Sequence, residues 1–260
     1  MCDSDQATCR LGVHASTLRG AWNFRDVGGM PVSGGGALKD GILFRSSALS
    51  QLEPEGVDRL VTLNVKNVVD LRGAHEVVTF GRDRVPAGTL VHSYPFERGV
   101  ATVVPHVLPS MTSDRDRIAY MEAAYRKFAI LDGAGRAIRR VVSAVIDRSH
   151  DAVLVHCAAG KDRTGWVVGA VLRAAGVPER DVVDDFLVSN DAVEYQREVQ
   201  RRHSPNADLS ELVLGVRASY FLAAVDTVTN LHGSFEAYLD KIGVHAGVRD
   251  ELRRSLVGED

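Results

Sequence analysis

Short apolar runs alternate along this chain with segments whose apolar residues recur every three or four positions. The runs at 42–45 (Ile-Leu-Phe-Arg), 67–71 (Asn-Val-Val-Asp-Leu), 90–96 and 152–155 (Ala-Val-Leu-Val) have the length of strands. Between them stand helical patterns. Val57, Leu60 and Val61 share one face after Pro54, and Ser50 to Glu53 has the spacing of a capping box. Over 114–130, Ile118, Met121, Tyr125 and Phe128 fall inward; over 135–149, Ile138, Val141, Val142, Val145 and Ile146 do so. A buried helix over 164–176 follows the last strand, with Gly176 and Pro178 as stop signals. Pro178 opens another helix with Val182, Val183, Phe186 and Leu187 on one face. Leu209, Leu212, Val213 and Val216, then Tyr220, Ala224, Val225 and Val228, continue the helical spacing. Ser33 with Gly34, Gly35 and Gly36 marks a hairpin turn within 18–45.

Apolar strands alternating with helices predict an α/β fold. Its central, mostly parallel sheet is flanked by helices and carries an extended C-terminal helical region. Residues 97–113 hold Pro105 and Pro109, show little periodicity and read as a long loop. We expect a flexible arm over 1–17 and a single domain over 18–260, since no linker or repeat interrupts the pattern.

The joint between the 152–155 strand and the 164–176 helix carries the candidate chemistry. It reads His156-Cys157-Ala158-Ala159-Gly160-Lys161-Asp162-Arg163-Thr164-Gly165, with five residues between the cysteine and the arginine. A loop of that length can wrap once around a tetrahedral phosphate, with the backbone N–H groups from Ala158, Ala159, Gly160, Lys161, Asp162 and Arg163 turned inward. The Arg163 guanidinium can fork onto two phosphate oxygens. The helix N-terminus favours an anion, and the same field favours a Cys157 thiolate poised for attack. The Thr164 hydroxyl can donate to that thiolate, cap the helix, or both. His156 would fix the loop by hydrogen bonding, and Lys161 would add a cation at its mouth. Two other readings fit worse. No second ligand pair at zinc spacing accompanies His156 and Cys157. A Walker loop would need glycine at position 155, where Val155 stands. Nothing in the stretch calls for a metal or a cofactor.

These residues resemble the H-C-x-x-G-x-x-R signature of protein tyrosine and dual-specificity phosphatases. The form Gly160-Lys161-Asp162-Arg163-Thr164-Gly165 is similar to a bacterial and fungal branch, of mycobacterial tyrosine phosphatase B type. Asn23-Phe24-Arg25-Asp26-Val27-Gly28-Gly29 looks like the branch's N-F-R-D-x-G-G opening. Matches at 68–72, 233–239 and 242–244 extend the resemblance in collinear order. It implies the cysteine-dependent phosphatase fold and phosphomonoester hydrolysis of tyrosine or dual-specificity type, through a thiophosphoryl-cysteine intermediate. The implied substrate is a phosphorylated protein or a small phosphomonoester. In that branch the aspartate inside the loop is the candidate general acid and matches Asp162. A lysine at the position of Lys161 goes there with acceptance of phosphoinositides.

Three choices stay open. Many tyrosine phosphatases carry their acid on a Trp-Pro-Asp loop, but the only tryptophans here are Trp22 and Trp166. Asp162, Asp70 at a strand end, or another Asp or Glu within 83–116 would then protonate the leaving group. The enzyme could instead be a metabolic phosphatase acting on a phosphorylated nucleoside, sugar or phosphoinositide. A pseudophosphatase, binding without turnover, is disfavoured by the intact Cys157, Arg163 and Thr164. Arg25 and Asp26 read as a buried polar brace for the loop, and Arg72 and Glu76 as structural.

Composition narrows the rest. The 31 basic and 34 acidic residues are well mixed, with net charge −3 and no basic stripe suited to nucleic acid. No apolar run reaches membrane-spanning length, and residues 1–20 lack a signal-peptide core. That points to the cytoplasm, with export by a route without a cleaved signal left open. Cys2, Cys9 and Cys157 have no framework spacing and read as reduced thiols. Arg197, Arg201, Arg202 and His203 lie between amphipathic segments, which makes 184–231 a candidate lid over an anionic ligand.

Overall fold

The computed structural model describes residues 18–96, 113–147, 151–203 and 208–258. The arm expected over 1–17, with Cys2 and Cys9, lies outside them, as does the loop expected over 97–113 apart from Ser113. Five strands form one sheet: β1 (Arg25–Asp26), β2 (Leu43–Ser46), β3 (Val65–Asp70), β4 (Leu90–Ser93) and β5 (Ala152–His156). Their order is β1-β2-β5-β3-β4. The β1–β2 pair is antiparallel and every other pair is parallel. This is the mostly parallel sheet that the alternating pattern predicts.

Apolar residues on both faces of the central strands explain why helices cover both sides. Along β2 and β5, successive side chains point to opposite faces. Phe44 and Leu154 join Phe24, Leu60 and Val68 on one side. Leu43, Val153 and Val155 join a larger cluster on the other, with members from Val27 to Leu256. The first side is covered by α1 (Pro54–Thr62); α2 (Ala74–Phe80) follows β3. The larger cluster takes in α3 (Asp114–Ile130), α4 (Asp132–Asp147) and α5 (Asp162–Ala175). Then come α6 (Glu179–Val188), a 3-10 turn (Ser189–Ala192), α7 (Val193–His203), α8 (Glu211–Leu214), α9 (Ala218–His232), α10 (Phe235–Lys241) and α11 (Ala246–Leu256). Among the described residues no helix is long and apolar enough to cross a membrane.

Register places the polar strand ends together. Ser46 and Asp70 both stand opposite His156, and Asp70 stands opposite Ser93. The candidate residues therefore gather at the C-terminal edge of the parallel strands, where α/β sheets open a crevice.

Local expectations differ from the structure at two points. Ser50 does not begin a capping box. A turn closes from Leu52 N–H to the Leu49 carbonyl, and α1 starts at Pro54 with Glu53 as N-cap and no side-chain cap. Proline in first helical position needs no donor partner, so the helix can start there uncapped. The helix expected across 209–216 is a single turn. The Asn190 side chain takes both the N–H and the carbonyl of Val216, at 2.7 and 3.1 Å, and draws the chain out of the helix.

Much of the 184–231 segment packs its apolar faces into the core. Phe186, Tyr220, Phe221, Ala224, Val225 and Val228 are all buried in the larger cluster. Gly165 and Gly169 on α5 make room for two of these rings. A Cβ at Gly165 would stand 2.7 Å from Phe186, and one at Gly169 2.6 Å from Phe221.

Candidate active site

The chain leaves β5 at His156, forms a tight loop and enters α5 at Asp162. Cys157 opens the loop, 2% exposed and with a free thiol. Three carbonyls of the loop are held from outside. That of Ala158 accepts from Ala48 N–H at 3.0 Å. That of Ala159 accepts from Asn23 Nδ2 at 3.3 Å. That of Gly160 accepts from Asn23 Nδ2 and from Arg45 Nη2, each at 2.9 Å. A planar trans peptide points its N–H opposite to its C=O. Drawing these carbonyls outward therefore turns the N–H groups of Ala159, Gly160 and Lys161 toward the loop interior. The first N–H groups of α5 continue the ring, because a helix leaves them unpaired. Gly160 has φ +69°, and a Cβ there would lie 2.3 Å from the Ser46 carbonyl, so glycine alone fits.

The N-terminal motif supplies much of this anchoring. Asn23 adopts a left-handed φ of +54°, which asparagine tolerates, beside mutual bonds between Trp22 and Ser47. Arg25 donates to the Asn23 side chain and, at 2.7 Å, to Asp185 Oδ1. Asp185 Oδ2 also receives Arg45 Nη1 at 2.6 Å, and all three side chains are buried. Burial works against the Asp185 charge, but the two guanidiniums outweigh it and hold the carboxyl below its ordinary range. Burial and the neighbouring Arg25 bring Arg45 down to about 10, still cationic at neutral pH. The expected Arg25–Asp26 brace divides in two. Arg25 braces the loop, while Asp26 accepts the N–H groups of Gly28 and Gly41 at 2.9 and 2.6 Å and fixes the hairpin. Adjacent strand residues point to opposite faces, which separates the two roles.

Behind the loop lies a second ion network. His156 Nε2 is 3.0 Å from Asp83 Oδ2, and Nδ1 is 3.2 Å from the Cys157 carbonyl. Both ring nitrogens face oxygen acceptors, which requires the imidazolium. Burial opposes that charge, yet Asp70 and Asp83 outweigh it and the pKa is raised. Asp83 is likewise lowered against its burial by His156 and Arg72. Arg72 bonds Asp70 through Nε and Nη2 at 3.0 and 2.9 Å, and reaches Asp83 at 2.8 Å. Ligand atoms of Asp70, Asp83 and His156 lie within 4.8 Å of one another, as they would around a metal. Arg72 and the imidazolium already supply the cationic charge there. Asp70 and Asp83, two of the proton-donor candidates, are thus engaged with cations. Within 83–116, Glu97 lies outside the described residues, while Asp114 and Asp116 occupy the first turn of α3.

Arg163 is aimed by a partner that the sequence gave no reason to rank above a structural residue. Its Nη1 and Nη2 each donate to Glu76 at 2.6 Å, and Nη1 also to the Leu71 carbonyl at 3.2 Å. Burial disfavours the guanidinium charge, but Glu76 more than offsets it and the pKa is raised. The Nε–Nη2 edge has the geometry that can fork onto two oxygens of an anion. Thr164 Oγ1 is buried and has no hydrogen-bond partner among the described residues. Asp162 Oδ1 accepts from the Tyr125 hydroxyl at 2.7 Å and from Lys161 Nζ at 3.0 Å. Burial first, then Asp162, push the Tyr125 hydroxyl well above its usual value, so it is a donor throughout. Lys161 is not the mouth cation expected from the sequence. It is buried, and Nζ also donates to the carbonyls of Val213 and Gly215 at 3.0 and 3.3 Å. Carbonyls at the end of the short α8 lack helical partners, and the lysine satisfies them.

Sequence reasoning passed over Asn23, Arg45, Tyr125 and Asp185 as loop-holding residues. Two of them had a signal. Arg45 ends an apolar strand run, and Asp185 shares the inward helical face of Val182 and Phe186. A charge at a core position needs a partner.

A model for the tyrosine phosphatase family matches residues 16–258. The triple specificity protein phosphatase PtpB of Mycobacterium tuberculosis is 37% identical over 277 residues, covering 93% of this chain and 98% of that protein. A tyrosine-protein phosphatase of Nostoc commune is 26% identical over 241 residues, covering 82% and 73%.

The buried imidazolium makes stability depend on pH. A raised folded-state pKa contributes stability in full below the unfolded value of ~6.5, and loses it as pH rises through the folded value. Asp83→Asn should lower the melting temperature most at acid pH down to ~5.5, and by progressively less above ~6.5. Thermal unfolding of both proteins across that range checks this. A deficit independent of pH would mean that His156 is neutral in the folded protein.

Proposed function

The chain belongs to the tyrosine phosphatase family, and from that premise we propose that its 157–163 loop holds the phosphoryl group while Cys157 attacks it. The observation that carries this assignment is the loop itself. Its carbonyls are tied outward, its N–H groups face inward, Cys157 stands at its base and Arg163 is aimed by Glu76. The Cys157 thiolate forms a bond to phosphorus as the ester P–O bond breaks. Asp162 gives its proton to the departing oxygen. Oδ1 is occupied by Tyr125 and Lys161, so Oδ2 is the oxygen left to face the departing group. In the second step a water oxygen bonds to phosphorus, its proton returns to Asp162, and the P–S bond breaks. The unpartnered Thr164 hydroxyl is the donor that meets the leaving thiolate, while the N–H ring and Arg163 hold the phosphoryl oxygens through both steps.

A phosphorylated protein is the first substrate reading, on tyrosine or with dual specificity. The description of the Mycobacterium relative as a triple specificity protein phosphatase supports a range wider than phosphotyrosine. A small phosphorylated metabolite or a phosphoinositide is the second reading. Lys161 could reach a lipid headgroup only by leaving Val213 and Gly215. A cytoplasmic setting would keep Cys157 reduced.

The 184–231 segment would cover the site through its outer part. α6 and α9 are anchored in the core, whereas α8 meets the loop through Lys161, and Tyr195 of α7 packs on Trp22 with ring centroids 4.8 Å apart. Its basic stretch is not free charge: Arg197 pairs with Glu194, and Arg201 and Arg202 with Glu198. Contact, rather than attraction to an anion, supports the cover.

Three outcomes test this function. Cys157→Ser should cut kcat on an aryl phosphate to below ~1% with EDTA present, because a serine hydroxyl is not ionised by the loop. Retained turnover would remove the thiolate mechanism. Asp162→Asn should cost far more kcat for alkyl or unactivated phenyl leaving groups than for activated aryl ones. Equal losses would make Asp162 a loop-ordering residue. Hydrogen exchange with vanadate bound should show added protection in α7 and α8; protection confined to 157–164 would argue against a cover.

A further inference from the structure

We propose that Arg45 and Asp185 form a positioning arm that sets how tightly the 157–163 loop holds a phosphoryl group. It rests on the assignment of that loop to phosphate, and adds two residues that do not touch the substrate. Arg45 Nη2 holds the Gly160 carbonyl at 2.9 Å, and Nη1 is held by Asp185 Oδ2 at 2.6 Å. One planar guanidinium therefore connects a carboxylate on α6 to a carbonyl of the loop. Its Nε is buried without a partner among the described residues, so the two Nη groups make its close contacts. The Gly160 carbonyl belongs to the same peptide as the Lys161 N–H, so tilting one tilts the other. Asn23 Nδ2 holds the same carbonyl at 2.9 Å, so the arm and Asn23 together keep that N–H turned to the loop interior, and losing the arm leaves one donor of two.

The arm also carries charge. Arg25 and Arg45 are buried against the single carboxylate of Asp185 in this network, which leaves an excess positive charge under the loop. Away from water such a charge is poorly screened, and it favours an anion above it. Ser189 Oγ, at the start of the 3-10 turn, lies 3.3 Å from Arg25 Nη2 and 3.5 Å from Arg45 Nη2. The arm thus joins the loop to the root of the covering segment. Lysine cannot replace arginine here. A single ammonium cannot span Asp185 and Gly160 in the way that a fork does.

The test is competitive inhibition by inorganic phosphate and by vanadate during turnover of an aryl phosphate, for Arg45→Lys, Asp185→Asn and the double variant. A Ki does not depend on how much of a preparation is folded, so reduced yield cannot imitate the effect. Each single variant should raise both Ki values by ~10-fold, and the double variant should fall well short of the product of the two, because Arg45 and Asp185 share one contact even though Asp185 also holds Arg25. Should Asp185→Asn give no soluble protein, Asp185→Glu keeps the charge, moves it by one methylene, and should raise Ki by a smaller factor. Lower melting temperatures with unchanged Ki would overturn the proposal, since Asp185 and Arg45 would then only stabilise the fold. Multiplying losses in the double variant would overturn it as well. The wild-type enzyme separates this failure from that of the functional assignment. Without hydrolysis and phosphate inhibition by the wild type, the assignment itself falls; with both present and variant Ki values unchanged, only the arm does.

Discussion

Buried carbonyls must find donors, and the carbonyls of Ala158, Ala159 and Gly160 find theirs on distant parts of the chain. Ala48 follows β2, Asn23 precedes β1 and Arg45 lies within β2. These bonds set the shape of a glycine-containing turn and suit it to the anion site proposed above, because each outward carbonyl sets an inward N–H. The antiparallel β1–β2 pair and the side of β2 next to β5 bring all three donors to one place. Gly160 completes the fit by letting the loop press against the Ser46 carbonyl.

Charge is arranged around that loop in two layers with different balances. Behind Cys157, Asp70 and Asp83 match Arg72 and the His156 imidazolium, which fixes the strand end rigidly without a net field. Below the loop, Arg25 and Arg45 exceed Asp185 by one charge. The loop sits between a neutral wall and a positive floor. Glu76 fixes the orientation of Arg163, so in the proposed function the guanidinium is placed before a phosphate arrives. On the proposed function, a site built this way would give up little ordering entropy on binding a phosphoryl group.

The helical C-terminal region serves two ends at once. Its apolar faces fill the core against α5 through the space left by Gly165 and Gly169. Its polar end carries Asp185, Ser189 and the carbonyls that capture Lys161. The same elements that stabilise the fold therefore tether the loop, so packing in α6 and α8 would be felt at the proposed phosphate site.

Local pattern determined the strands, the α/β class, the parallel sheet and the strand–loop–helix unit around Cys157 and Arg163. Those features depend on spacing within a few residues, and apolar periodicity records them directly. Partners across the fold were not legible in the same way. The sequence placed Lys161 at a mouth and paired Arg25 with Asp26 because they are neighbours in the chain; the structure buries Lys161 against Val213 and Gly215 and turns Arg25 to Asp185. Arg45 and Asp185 were charges at core positions that were passed over, and Glu76 read only as structural. The sequence by itself determined which chemistry the loop can perform, because that follows from residue types at fixed local spacing. Tertiary structure alone decided which distant charges hold the loop, since a charge at a core position shows that a partner is needed, while the partner's identity is set only by the meeting of two elements.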